Sequence, residues 1–278
     1  ASFNDTIPAK EVWRVSEDGE LRDPFKKLTT VFQMSEEMFF LHYGKDGCNR
    51  HVLIDECREL FGEIYEQIPE LPFCNIWTAM QLSSRLPKGA LFHMGVSNTR
   101  RCWNMFQLPE SVESACNVGC CGIDGCVSTL VGASLVNPDR LCYVVVGDLT
   151  FFYDLNSLGN HHIGTNLRVM LVNNGRGTEF RLGIHHCNVF GDDADKYMAA
   201  AGHFGNKSPL LVKHYAEDLG FHYLSATTKE EFMTALSNFT NPQLSDHSMI
   251  LEVFTDSKDE SEALYLMSHI QSDAKGMV

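Results

Sequence analysis

Asp148 and Asn174 are the two residues around which this sequence can do chemistry. Each follows an apolar run: residues 141–146 stop at Gly147-Asp148, and residues 167–172 stop at Asn173-Asn174. A carboxylate and a side-chain amide oxygen are both hard ligands. Brought together they form half of a Mg2+ site, with water and substrate phosphates completing the octahedron. A helix that begins just after Asp148 would aim its N-terminal N–H groups at such a phosphate. The residue types therefore point to a phosphate-bearing cofactor held through Mg2+.

The elements that must position these residues are legible in the spacing. Both apolar runs suit strands buried on both faces of a parallel sheet. Residues 154–162 between them have helical spacing, with Leu155 and Leu158 on one side. A strand–helix–strand unit makes its two strands parallel. Asp148 and Asn174 then share the carboxyl edge of the sheet, where open α/β sheets bind ligands. Two more strand ends face the same way. Residues 90–94 run into Gly95-Val96-Ser97-Asn98-Thr99-Arg100-Arg101, and residues 114–117 into Val118-Gly119-Cys120-Cys121-Gly122-Ile123-Asp124-Gly125. Glycine at 119, 122 and 125 permits close backbone approach to a ligand. Asp124 is a candidate cap for a helix over 126–136. Taken singly, each signal has a plainer reading: turn-forming Gly, Asp and Asn, a surface ion pair for Arg101, a core side chain for Ile123.

Taken together, Gly147-Asp148, a spacer and Asn173-Asn174 resemble the fingerprint of thiamine-diphosphate enzymes of the acetolactate synthase superfamily. The third position is Leu149 where the broad family usually has glycine. That variant, continuing as Thr150-Phe151-Phe152-Tyr153-Asp154, resembles the branch of the menaquinone-pathway carboligases (SEPHCHC synthases). So do Gly122-Ile123-Asp124-Gly125 followed by Ser128-Thr129, and Ser97 with an arginine four residues on, Arg101. The resemblance is dense over residues 90–185 and loose elsewhere.

The resemblance implies a doubly wound, mainly parallel α/β sheet with helices on both faces, the thiamine diphosphate-binding fold. It implies Mg2+ held by Asp148, Asn174 and the backbone carbonyl of Arg176. Cofactor contacts would come from Gly122, Ile123, Asp124, Gly147, Asp148, Leu149, Thr150, Asn174, Arg176 and Gly177, with Ile123 as the apolar wedge. Ser97, Arg101 and Phe180 would meet the substrate, the arginine by bidentate hydrogen bonds to a carboxylate. The implied activity is that of a carboligase or 2-oxo-acid decarboxylase (a lyase or transferase). The activating glutamate would lie on a pyrimidine-binding domain of the same or another chain, in a homodimer or homotetramer, leaving this chain inactive alone. Two departures bear on substrate. Val118 stands where the branch has a second substrate arginine, and Glu179 where it has an apolar residue before Phe180. A pocket that loses a cation and gains an anion disfavours a dicarboxylate acceptor. Two other classes are weighed: a non-catalytic cofactor-binding or regulatory module, and an NAD-binding sheet. The last lacks a GxGxxG turn after a first strand.

Composition bounds the rest. A chain of 278 residues fits one large α/β unit plus an appendage, and a hydrophobic fraction of 44% fills its core. A formal charge of −14 argues against nucleic acid and anionic membrane as partners. No apolar run reaches the length of a membrane span, and no basic-then-apolar segment opens the chain. The ten cysteines are scattered, without CxxC pairs, which suggests a reducing, cytoplasmic setting. The adjacent pairs His161-His162 and His185-His186 do not suit one shared metal.

Residues 1–45 cannot build a core and read as the tail of a preceding middle domain or an N-terminal arm. Within them 11–15 suggests a strand and 25–32 a short amphipathic piece. Residues 46–278 read as the diphosphate-side domain. Helices are expected over 51–68, 75–86 (capped by Asn75), 195–201, 210–219, 229–239 and 257–270, and strands over 221–224 and 249–254.

Overall fold

The computed structural model describes residues 10–44, 52–119, 121–183, 185–203, 205 and 207–270. His51, Cys120 and residues 1–9, 45–50 and 271–278 therefore lie outside the described residues. The chain divides into two compact units, residues 1–63 and 64–278.

In the first unit β1 (Val12–Val15) pairs in parallel with β2 (Leu28–Phe32), so the amphipathic 25–32 segment ends as a strand. Ser35 caps α1 (Glu36–Tyr43) by accepting the Met38 N–H, a helix the sequence reading did not contain. Trp13, Phe32, Phe39 and Tyr43 pack ring against ring here. The helix expected over 51–68 is α2 (Val52–Glu66), which carries the boundary between the units.

In the second unit the chain runs α3 (Asn75–Ser83), β3 (Leu91–Met94), α4 (Asn98–Trp103), β4 (Glu113–Cys116), α5 (Cys126–Val136), β5 (Cys142–Gly147), α6 (Asp148–Asp154) and β6 (Leu167–Asn173). It continues through α7 (Asp192–Tyr197), α8 (Leu211–Asp218), β7 (His222–Ala226), α9 (Lys229–Phe239), β8 (Met249–Phe254) and α10 (Ser257–Ser268). The six strands form one sheet in the order β4-β3-β5-β6-β8-β7, and every neighbouring pair is parallel. Side chains alternate across it. Tyr143, Val145, Met170, Val172, Leu251 and Val253 join a core on one face with residues of α3, α4, α9 and α10. Cys142, Val144, Val146, Leu167, Val169 and Leu171 join a second core with residues of α5, α6 and α8. Both faces are covered, which is why β5 and β6 read as largely apolar runs, Arg168 being the one charge in them. The fold is the doubly wound α/β sheet expected.

Four local expectations are corrected, one of them the helix expected over 195–201, which is α7 over Asp192–Tyr197. The α-helix after β5 starts at Asp148 itself and ends at Asp154, and a 3-10 turn over Leu155–Gly159 replaces the helix expected to 162. Asn75 is the first residue of α3 and not its cap: the Cys74 thiol accepts the Trp77 N–H instead. Asp124 does not cap α5. Gly125, at φ +88°, takes the cap position because left-handed backbone is cheap only for glycine, and the carboxylate of Asp154 accepts the Ser128 N–H.

Candidate functional site

The strand order places the site. From β3 the chain passes outward to β4, then returns to the other side of β3 as β5. Such a reversal opens a crevice beyond the carboxyl ends of the strands. A cavity of about 470 Å³ occupies that position. Ser97 comes to it from the end of β3, and Gly122, Ile123 and Asp124 from the end of β4. Gly147, Asp148, Leu149 and Thr150 arrive from β5, and Asn174, Arg176, Gly177 and Phe180 from β6. Arg101 is the one expected site residue that does not line it. Arg101 lines an adjoining cavity of about 350 Å³, which shares Ser97 and Glu179 with the first.

Asp148 is 2% exposed. One of its oxygens accepts the Leu149 N–H at 2.9 Å, and the other lies 3.0 Å from His203 Nε2. His203 packs its ring against Phe152, with centroids 5.4 Å apart. No motif marks His203 in the sequence; its approach to Asp148 spans 55 residues.

The two asparagines have separate jobs. Asn173, still in β6, donates from Nδ2 to buried Glu252 at 2.7 Å. Burial pushes the Glu252 carboxyl above its usual value, against the hydrogen bonds from Asn173 and the Tyr223 hydroxyl. Asn174, one residue on, lines the cavity with a buried Oδ1 that has no hydrogen-bond partner among the described residues. A buried amide oxygen without a donor is costly, and a hard cation would satisfy it. Arg176 turns its guanidinium to Asp195, with both contacts at 2.9 Å, and its carbonyl accepts the Thr178 N–H. The second lone pair of that carbonyl stays available. Among the described residues no group of three or more His, Cys, Asp and Glu side chains could hold a metal. A cation here would draw instead on Asp148, an amide oxygen, a carbonyl, water and phosphate.

Backbone strain marks the turn after β3. Ser97 sits at φ 59° and ψ −122°, a region L-residues rarely occupy. Asn75 and Asn98 also line the cavity, and the sequence reading did not place either there. Asn75 reads as a cap in the sequence because helix starts and site loops favour the same small polar residues.

Arg101 and Glu179, one expected substrate contact and one departure from the family pattern, meet each other. The guanidinium donates to both carboxylate oxygens, at 2.7 and 2.8 Å. That hydrogen-bonded carboxylate raises the Arg101 pKa further.

Two comparisons bear on this geometry. No protein-family model matches the chain. Against individual proteins, it is 33% identical over 263 residues to the 2-succinyl-5-enolpyruvyl-6-hydroxy-3-cyclohexene-1-carboxylate synthase of Bacteroides fragilis, covering 92% of this chain and 45% of that one. The chain resembles the SEPHCHC synthases. The synthase of Phocaeicola vulgatus is 32% identical over 265 residues, covering 92% of this chain and 44% of the synthase. That of Christiangramia forsetii is 33% identical over 199 residues, covering 72% and 33%. The chain spans about half the length of the first two synthases, or less.

Proposed function

We propose that this chain is the diphosphate-binding half of a thiamine-diphosphate-dependent carboligase or 2-oxo-acid decarboxylase. The observation that carries the reading is the meeting of Asp148 with the unpartnered Asn174 Oδ1 in one crevice at the sheet's carboxyl edge. The similarity to SEPHCHC synthases supports it. When bound, thiamine diphosphate supplies the electron sink for making or breaking a bond beside the carbonyl of a 2-oxo acid.

This chain's residues bind and orient. Asp148, Asn174 and the Arg176 carbonyl are the oxygen ligands on offer for Mg2+. Asp148 supplies the negative charge, and the neutral amide and carbonyl avoid repelling a diphosphate on the same ion. Gly147 lets backbone approach the ligand, while packing requires glycine at 177, where a methyl group would stand 3.1 Å from Leu149 Cδ1 and 3.2 Å from Phe180 Cδ2. Ile123 and Leu149 provide apolar cover that excludes water. Ser97 offers a hydroxyl at the substrate end. The activating carboxylate is proposed to lie on a pyrimidine-binding domain of this or another chain, in a dimer or tetramer.

Calorimetric titration with thiamine diphosphate, with and without Mg2+, tests the reading, with NAD as the control. Binding that needs Mg2+ is expected; NAD binding without thiamine diphosphate binding would overturn it. The 278-residue chain, saturated with cofactor and Mg2+, is expected to release no CO2 from pyruvate or 2-oxoglutarate. Robust turnover would refute the division of labour between domains.

A further inference from the structure

Glu179 stands at the junction of the two cavities and lines both. Among the described residues three charged side chains line the smaller one: Arg100, Arg101 and Glu179. Arg101 comes from α4, beyond β3, and Glu179 from the 3-10 turn (Thr178–Arg181) beyond β6. Their end-on bidentate contact is the geometry in which a guanidinium would hold a substrate carboxylate. Their side chains are 31% and 16% exposed, so the pair is only partly open to water. A second carboxylate offered to the remaining N–H edge of Arg101 would sit beside the Glu179 charge. Val118, on the same wall, offers no replacement cation. Arg100 is exposed, and no ion pair to it occurs among the described residues.

We propose that Glu179 fills the carboxylate-binding fork of Arg101 and so closes that fork to a substrate carboxylate. The inference deepens the function proposed above and rests on it for the kind of reaction served. Glu179 acts as a built-in occupant: a substrate tail ending in carboxylate must displace it, whereas a hydroxyl, amide or alkyl end packs beside a neutral pair. Discrimination by an occupied cation is specificity against the wrong ligand, not affinity for the right one.

Succinate is the probe, titrated into four forms of the 278-residue chain: wild type, Glu179→Ala, Glu179→Gln and the double variant Arg101→Ala/Glu179→Ala. Arg100 is constant in all four, so any binding it provides cancels. Glu179→Ala should bind succinate at least tenfold more tightly than both wild type and the double variant, which should agree within threefold. Glu179→Gln, which keeps the side chain's size, should shift the same way. If wild type binds tenfold more tightly than the double variant, Arg101 is open already and the proposal fails. It also fails if Glu179→Ala gains nothing over the double variant. Thiamine diphosphate affinity measured on the same samples reports separately on the cofactor reading; its absence from all four would sink that reading without altering the succinate comparison.

Discussion

Replacing Glu260 by glutamine should remove a pH dependence of stability that one buried carboxyl creates. Glu260 lies in the first turn of α10 and is 1% exposed. One oxygen accepts the backbone N–H of Asn75, at the start of α3, at 2.9 Å and the Thr255 hydroxyl at 3.0 Å. Among the described residues the other oxygen has no partner at hydrogen-bonding distance, although the Asn98 side chain also favours the carboxylate. The hydrogen bonds and the N-terminus of α3 favour the carboxylate. Burial opposes it and wins, raising the pKa from its ordinary 4.5 to about 7. The folded state therefore holds a proton that the unfolded state has released. The stabilisation is complete below the unfolded value and is lost as pH rises through the folded one. At about 1.4 kcal/mol per unit, with part of the shift already spent by pH 5, the loss between pH 5 and pH 8 is about 2–3 kcal/mol. Glu260→Gln keeps the acceptor facing Asn75 and cannot ionise. Urea unfolding, followed by the fluorescence of buried Trp77 and Trp103, reads the stability of the residue 64–278 unit. Relative to wild type, the variant should gain about 2–3 kcal/mol between pH 5 and pH 8. An identical gap at both pH values would refute a neutral, buried Glu260.

Asp148→Ala should lower thiamine diphosphate affinity at fixed Mg2+ by at least about tenfold, since it deletes the only charged ligand proposed for the ion; unchanged affinity in a folded variant, by calorimetry, would sink the metal assignment. Ser97→Gly relieves the positive φ at that position and should raise stability by about 1 kcal/mol in a thermal melt. A melting point unchanged or lowered would show that Ser97 stores no strain. Asp154→Ala removes the carboxylate that accepts the Ser128 N–H at 2.7 Å near the start of α5, and should cost about 1 kcal/mol in urea unfolding. No cost would mean that water serves that N–H equally well.

What the sequence determined by itself was the sheet and the stations along its edge. The largely apolar runs of β5 and β6 state that both faces are buried, and the helical stretch between them makes the strands parallel. That alone brings Asp148 and Asn174 to one edge. Glycines beside Ile123 and at Gly147 mark where backbone lines the crevice. Each of these signals acts over a few residues, so each is written locally. Caps were legible less often, because Cys74, Gly125 and Asp154 do work that Asn75 and Asp124 suggested for themselves. The tertiary structure alone decided which side chains face each other across the crevice. Arg101 reaches Glu179 over 78 residues, His203 reaches Asp148 over 55, and Glu260 reaches the N–H of Asn75 over 185. No periodicity encodes such pairs. They exist because the order β4-β3-β5-β6-β8-β7 gathers segments far apart in the chain at one edge of the sheet, and because a charge withdrawn from water must find its partner there.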